Sequence, residues 1–547
     1  MYLFVFISKT TALCEDFMYK YQSNQIHFDD FNMPLGLSMD PNNRWVQKAK
    51  CIPWNTLEKK YASLFSESKT GNVAKPCRLV LGALIIQKIR NISDVETAYQ
   101  IQESPYLQYF CGLPGYSEKL PFDPSTMTYF RKRLSEDFIN EVNEILITHF
   151  FELVQYNKDL KAKSKLKKKS SSDDNLDDKN STDSDANTSS NIETTEAPAK
   201  QEPPKNKGAL LLDSSCAPQY IAYPTDLRLL DTARSILEKY IDHLHDIKDG
   251  KKPRTNRKVA RKEYLKIITK KNKPIEEVRN AISKQLGYIL ADIKIINNYL
   301  NKGKELSERQ LNQIDIIKKL YDQQLFMLEN KTHKVDDRIV SLGQHWVRPI
   351  VRGKLRAKCE FGAQVCISNS NGAIRLEKAS FKPYNEGTQL IEYCERYFSR
   401  HGYYPEKILA DTIYRNRENL KYCKAHNIKM LGPRLGRPPK DSVLDKKQEK
   451  KDYKARIEIE RNLSYAKGPC SMGNIKTRTE QTSKTSISLS ILVMNILNFA
   501  RVQYFFFLKY VEKDNFIDFR FWRGVNLKIY QFTLNSLLQK KRLFSSH

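Results

Sequence analysis

Four side chains between Tyr453 and Lys467 have types and spacing suited to work on a phosphodiester: Tyr453, Arg456, Glu460 and Lys467. They stand three, four and seven residues apart, so at about 100° per residue they share one helical face. A carboxylate flanked by two cations and a phenol can hold a metal ion against a phosphate, the cations contacting phosphate oxygens and the Tyr stacking on nucleic acid. In a Lys-rich chain the same stretch also reads as a solvated, salt-bridged helix. Two further carboxylates lie upstream. The apolar run from Ala209 ends at Asp213 and Ser214, and the run from Lys407 ends at Asp411 and Thr412. A buried strand delivering an Asp at its end is how α/β enzymes present acids at a sheet edge. With Glu460 these make a three-carboxylate set. Glu458 competes for the third place, about 160° around the helix.

The elements that must position these acids read as a mixed sheet with flanking helices. Phe361, Ala363, Val365 and Ile367 alternate, Asn371-Gly372 marks a tight hairpin turn, and Ile374 and Leu376 continue the alternation. A helix with Leu390, Ile391, Cys394, Tyr397 and Phe398 inward ends near Gly402, followed by the Asp411 strand, a helix over 416–426 and a short strand at 428–431. That order is the order of an RNase H-like α/β fold. Residues 227–340 interrupt it as a mostly helical insertion carrying the basic block 251–273, a DNA-contacting or dimer-forming appendage.

Upstream, residues 18–156 read as an all-helical domain. Ser93 to Glu96 forms a capping box, and a helix after Asp123-Pro124 turns Met127, Phe130 and Leu134 inward and exposes Arg131, Lys132 and Arg133. That basic cluster suggests a DNA-binding head; an ordinary charged face is the alternative. Residues 157–208 turn Lys-rich, then acidic, then Pro-containing, with almost no apolar periodicity, and read as a disordered tether between two folding units. The catalytic region then spans 209–508, and 509–547 is a basic, aromatic extension.

Composition narrows the partners. A formal charge of +29 over 547 residues points to a polyanion, nucleic acid before membrane. Ten cysteines without a CxxC pair argue for a reducing compartment and against a zinc ribbon or disulfide framework. Residues 1–14 make a poor signal peptide, and the apolar run 487–507 is broken by Asn495, Asn498, Arg501 and Gln503, so a buried core helix and a cytoplasmic protein are expected.

The stretches LLLDSSCAPQYIAYPTDLRLLDTAR, WVRPIVRGKLRAKCEFGAQV and ILADTIYRNRENL, with the Tyr453, Arg456, Glu460, Lys467 spacing, resemble a DDE transposase of a bacterial insertion sequence. The resembling branch carries a Tyr-(2)-Arg-(3)-Glu-(6)-Lys signature. The likeness covers most of residues 70–500 outside the tether, and CGLPGY to FRKRL resembles the N-terminal domain of that family. The segment after Lys467, GPCSMGNIKTRT, departs from the family's ending.

The resemblance implies DNA cleavage and strand transfer with two Mg2+ ions (Mn2+ being an alternative), about 3.5–4 Å apart, stabilising the attacking and leaving oxygens. Mg2+ takes one or two carboxylates each, so Asp213 bridging, with Asp411 and Glu460 on one ion apiece, would suffice. Arg456, Lys467, Arg348, Arg352 and Lys354 would hold the DNA backbone. The implied partners are double-stranded element ends and target DNA, bound by a homodimer or larger assembly. Two other readings remain: a decayed or domesticated copy that binds DNA without cutting it, and an RNase H-like nuclease without strand transfer. A Walker A loop is missing from the sequence, which disfavours an ATP-driven motor.

Overall fold

The computed structural model describes residues 28–65, 73–170, 205–246, 250–351, 359–431 and 446–511, with Tyr19 and Lys248; the side chains of Leu35, 157–170, 446–451 and 503–511 are not described. Its centre is a mixed sheet of six strands among the described residues: β1 (Ala209–Pro218), β2 (Arg348–Val351), β3 (Cys359–Ser370), β4 (Ala373–Ser380), β5 (Lys407–Leu409) and β6 (Lys429–Leu431). The order is β2-β3-β1-β5-β6, with β4 paired to β3 further along than β2. Strand β1 runs antiparallel to β3 and parallel to β5, which runs parallel to β6. The expected β3–β4 hairpin forms at Asn371 (φ 55°) and Gly372 (φ 84°), the two positive values that a primed turn demands.

One face of the sheet is closed by α12 (Leu390–His401) and α13 (Arg417–Ala425). Leu210, Leu212, Ile408 and Ala410 pack there with Leu390, Tyr393, Cys394 and Tyr397. Because side chains alternate along a strand, Leu211, Asp213, Leu409 and Asp411 belong to the other face. Against that face lies α14 (Lys446–Lys467), which packs on β1, β3 and β5 and buries Ile459, Leu463 and Ala466.

The insertion is helical, as expected: α8 (Asp226–Leu244), α9 (Arg257–Ile268), α10 (Ile275–Asn301) and α11 (Glu308–Glu329). They share a core that includes Leu230, Leu237, Ile241, Leu286, Ile289 and Ile317. The basic block 251–273, which was not assigned its own element from the sequence, contains α9.

The N-terminal region is helical too, with α1 (Arg44–Lys50), α2 (Trp54–Ala62), α3 (Cys77–Arg90), α4 (Asp94–Glu103), α5 (Pro105–Phe110), α6 (Thr126–Arg133) and α7 (Glu136–Ser170). Ser93 caps α4 by accepting the Glu96 amide at 3.1 Å. Two features differ from the tether reading. Helix α7 continues through Ser170, since its Lys-rich end keeps residues of good helix propensity, and residues 205–208 join the sheet edge through Asn206 and Lys207. Residues 171–204 lie outside the described residues.

Nor do the two regions fold apart: the described residues up to Ile496 form one unit, and Leu497 begins a second. Polar bonds join the regions. Asn143 on α7 and Asn495 on α15 (Glu480–Val511) both donate to the Ile374 carbonyl, at 3.0 and 2.7 Å, and Asn495 Oδ1 accepts the Ile374 amide. Glu144 meets Arg375 at 2.8 Å. Within α15, Glu480–Val502 is long and apolar enough to cross a membrane, yet 72% of that apolar window is buried within the protein.

Lys88 on α3 is fully enclosed and donates to Ser490 Oγ at 3.1 Å. Burial pushes its ammonium down to about 7. The folded value lies below the unfolded one, so the fold holds fewer protons between the two and stability rises with pH from about 7 toward 10.5. Lys88→Met is expected to abolish that alkaline rise and to raise stability at pH 7, since the ammonium no longer has to be desolvated. Denaturant titrations at several pH values check this; an unchanged pH profile in the variant contradicts it.

Candidate active site

The parallel pairing of β1 with β5 sets the first two acids. Ala209 stands opposite Lys407, Leu210 opposite Ile408 and Leu211 opposite Leu409. Asp213 and Asp411 each lie two residues beyond the last of these pairs, which places them at the same level and on the same face. Their local settings differ. Asp411 lies two residues past the end of β5 and caps the turn Thr412–Tyr414, accepting the Thr412 amide at 2.7 Å, with its side chain 56% exposed.

Asp213 is not at a strand end. Strand β1 runs on to Pro218 because β3 pairs with it throughout, Asp213 opposite Ile367 and Pro218 opposite Gly362. The approach is close at that end: a Cβ on Gly362 would fall 2.1 Å from the Ala217 carbonyl oxygen. Asp213 is half-buried, and one of its oxygens accepts the Ser214 amide at 2.8 Å.

Helix α14 supplies the third acid and its neighbours. Arg456 reaches Asp411 Oδ1 at 3.4 Å with Nη1 and Glu460 Oε1 at 3.2 Å with Nη2, so one guanidinium links an acid of the sheet to an acid of the helix. Its cation lies 5.9 Å from the centre of the Tyr453 ring, which is 61% exposed. Glu458 instead accepts from Asn369 of β3 at 3.3 Å. Lys467 Nζ is 3.9 Å from the Glu360 carboxylate of β3.

The unusual segment after Lys467 closes the helix: Gly468, Met472 and Gly473 amides donate to Ser464, Ala466 and Lys467 carbonyls, and Ile475 then bonds to Pro218 at the end of β1. Glu360 and Asn369 were not singled out in the sequence. The alternation of β3 was legible there, but which of its residues face α14 depends on the register.

The other expected DNA ligands are scattered. Arg131 is not exposed as expected: Asp94 takes its guanidinium at 2.9 and 2.5 Å and Gln87 adds a third bond. Burial opposes ionisation of Asp94, but Arg131 prevails and holds that carboxyl below its ordinary value. Lys132 and Arg133 are exposed, the latter 4.6 Å from the Phe65 ring centre. Arg348 is bonded to Asp337 and to the Val347 carbonyl, at 3.4 and 3.1 Å, and is 14% exposed. Arg352 and Lys354 lie outside the described residues.

As donors, Asp213, Asp411 and Glu460 suit Mg2+, which prefers oxygen. As arranged, they do not fit a resident ion, because no three carboxylates, imidazoles or thiols among the described residues are grouped to hold one, and Arg456 occupies the place between two of the acids. All nine described cysteines are free thiols, and all but Cys359 are buried.

Comparison with known proteins places this chain among sequences that carry transposase domains. A family model described as a transposase domain (DUF772) matches residues 36–133, and one described as a transposase DDE domain matches residues 408–497. The second match contains Asp411, Arg456, Glu460 and Lys467 and begins after Asp213. The two matches support a transposase, a class that acts on DNA. A curated relative is the uncharacterized protein ORF8 in the nfe locus of Rhizobium meliloti, 30% identical over 114 residues; the match spans 21% of this chain and 54% of that protein. No solved structure matches the chain.

Ile459 is the apolar pin of α14, fully buried one residue before Glu460. Ile459→Ala is expected to cost about 2–5 kcal/mol, as buried Ile truncations do, read as a lower denaturation midpoint with an unchanged slope. A loss below about 0.5 kcal/mol would mean that α14 is not held by this contact.

Proposed function

We propose that this chain is a DDE transposase of the Tyr-Arg-Glu-Lys branch, cutting the ends of an insertion element and joining them to target DNA. In this reading the sheet is an RNase H-like core and Asp213, Asp411 and Glu460 are the catalytic acids. The observation that carries it is the shared register of Asp213 and Asp411 on the sheet face that α14 covers, with Arg456 tying Asp411 to Glu460. DDE domains generally use divalent metals. Since the acids as arranged do not fit an ion, their assignment rests on donor chemistry and placement, and Mg2+ remains part of the proposal. What the chain's own residues offer is orientation. Arg456, Lys467 and the exposed Tyr453 would take the phosphodiester backbone along the helix face and set it beside the sheet face that carries the acids. DNA binding as a dimer or larger assembly, and a cytoplasmic location, belong to the same reading.

A second reading has one observation in its favour: the same Arg456 bridge suits a decayed or domesticated copy that binds DNA and does not cut it. Cleavage of a duplex carrying the element's ends, with Mg2+ or Mn2+ added, separates the two. Under the first reading the wild type cuts, and Asp213→Asn, Asp411→Asn and Glu460→Gln each reduce cutting to background while still binding DNA. Glu458→Gln is expected to cut normally; loss there with activity kept in Glu460→Gln would reverse the assignment of the third acid. A wild type that binds and never cuts supports the second reading. Joining of pre-cut ends distinguishes a transposase from a simple nuclease.

If Arg456 holds a phosphate, Arg456→Ala is expected to flatten the salt dependence of DNA binding by about one log–log unit, on every sequence alike. A helix-bracing role alone predicts a stability loss of about 0.3–0.5 kcal/mol and the wild-type slope.

A further inference from the structure

A dense run of cations in the insertion lies on and around α9. Residues 251–273 hold eleven Lys and Arg against one acid, Glu263. Packing sorts these charges. Ala260, Tyr264 and Ile267 are buried, fixing α9 on α8 and α10 by one face. The nearby acids are already engaged. Asp242 pairs with Lys252 and Arg257, Asp231 with Arg234 and Arg261, and Glu277 with Lys270. Glu263 is bonded to Lys284 at 2.7 Å and to the Tyr288 hydroxyl at 2.9 Å.

On α9 itself, what remains is Lys258, Lys262 and Lys266, all exposed and making no ion pair among the described residues. Spaced by four, they fall within about 80° of one another and opposite the buried face, in a row about 12 Å long. Like charges at that spacing repel. The row is flanked by exposed Arg254 and Lys271. A rigid helix held in place by its apolar face, with its acids taken up elsewhere and its cations left in an unfavourable row, is complementary to one kind of surface: a regular line of negative charge.

We propose that the outer face of α9 is a second DNA-contacting surface, on an element separate from the acid-bearing sheet and α14, where Lys258, Lys262 and Lys266 track the phosphates of one duplex strand. It reads no sequence, since phosphate contacts carry none. The surface does not depend on whether the acids cut.

The test is the salt dependence of binding by the full chain to a fluorescent duplex of arbitrary sequence, in EDTA so that no cleavage intervenes. K258Q/K262Q/K266Q is expected to lower the log–log slope by about 2.7 units, three contacts at about 0.9 each. The K258R/K262R/K266R chain is expected to keep the wild-type slope and melting temperature. Should the glutamine triple melt early, K262Q alone is read, with an expected drop of about 0.9. A wild-type slope in the folded triple, or in K262Q, overturns the proposal, and is also the result expected if α9 were made for an acidic protein. A wild type that cuts element ends while the triple keeps its slope would leave the acid-site reading standing and remove this one. A lowered slope with no cutting by the wild type would do the reverse.

Discussion

The pairing of β1 with β5 is the constraint on which the rest of the site depends. Parallel strands cannot be joined by a short turn, so the 195 residues between Leu211 and Lys407 must bring the chain back to β1 in register. They include the rest of β1, the insertion, strands β2, β3 and β4, and α12. Slipping the register by one residue would turn Asp411 away from the face that Asp213 uses. The apolar side chains that oppose such a slip are Leu210, Leu212, Ile408 and Ala410, packed on the far face. The placement of the acids is thus secured by residues that never touch them.

The same economy governs the N-terminal region. Strand β4 pairs on one side with β3, and Asn143 and Asn495 meet it at Ile374 while Glu144 meets its Arg375. An Asn that donates to a strand carbonyl and accepts its amide, as Asn495 does at Ile374, mimics a neighbouring strand without adding one. The bonds stop further strand addition and weld α7 and α15 to the sheet. A DNA-binding head on a free tether would need none of this. The N-terminal helices therefore serve the sheet as well as any DNA they contact.

Much of this organisation was legible in the sequence because it is local. The apolar runs before Asp213 and Asp411, the Asn371-Gly372 turn, the Ser93 cap and the helical insertion all declare themselves within a few residues. Their failures are non-local. Ser214 to Pro218 holds only small residues with no strand alternation, and becomes strand because β3 lies beside it over its whole length. Arg131 looked like its neighbours Lys132 and Arg133 until the fold brought Asp94 to it from 37 positions away. Residues 157–170 lack apolar periodicity, yet their Lys and Leu suit a helix that has already been nucleated upstream.

Four arginines among the described residues each meet two carboxylates; Arg396 pairs with Glu377 and Glu392 beside Arg400, and the exposure of the other three separates their roles. Arg234, 2% exposed, sits between Asp231 and Glu238, each 10% exposed; removing any member would strand a buried charge. Arg400 meets Glu377, which is wholly buried, at 2.7 Å and Glu144 at 3.8 Å, and so braces α12 against the sheet. Arg456 differs in kind. Its partners Asp411 and Glu460 are 56% and 49% exposed, its contacts are 3.4 and 3.2 Å, and Arg456 itself is 31% exposed. Ion pairs in such settings contribute about 0–1 kcal/mol, since water screens them. Exchanging that guanidinium from two carboxylates to a phosphate therefore costs the fold little, whereas the same exchange at Arg234 would unfold its surroundings. Among the three, only the arginine beside the candidate acids is placed where it can let them go.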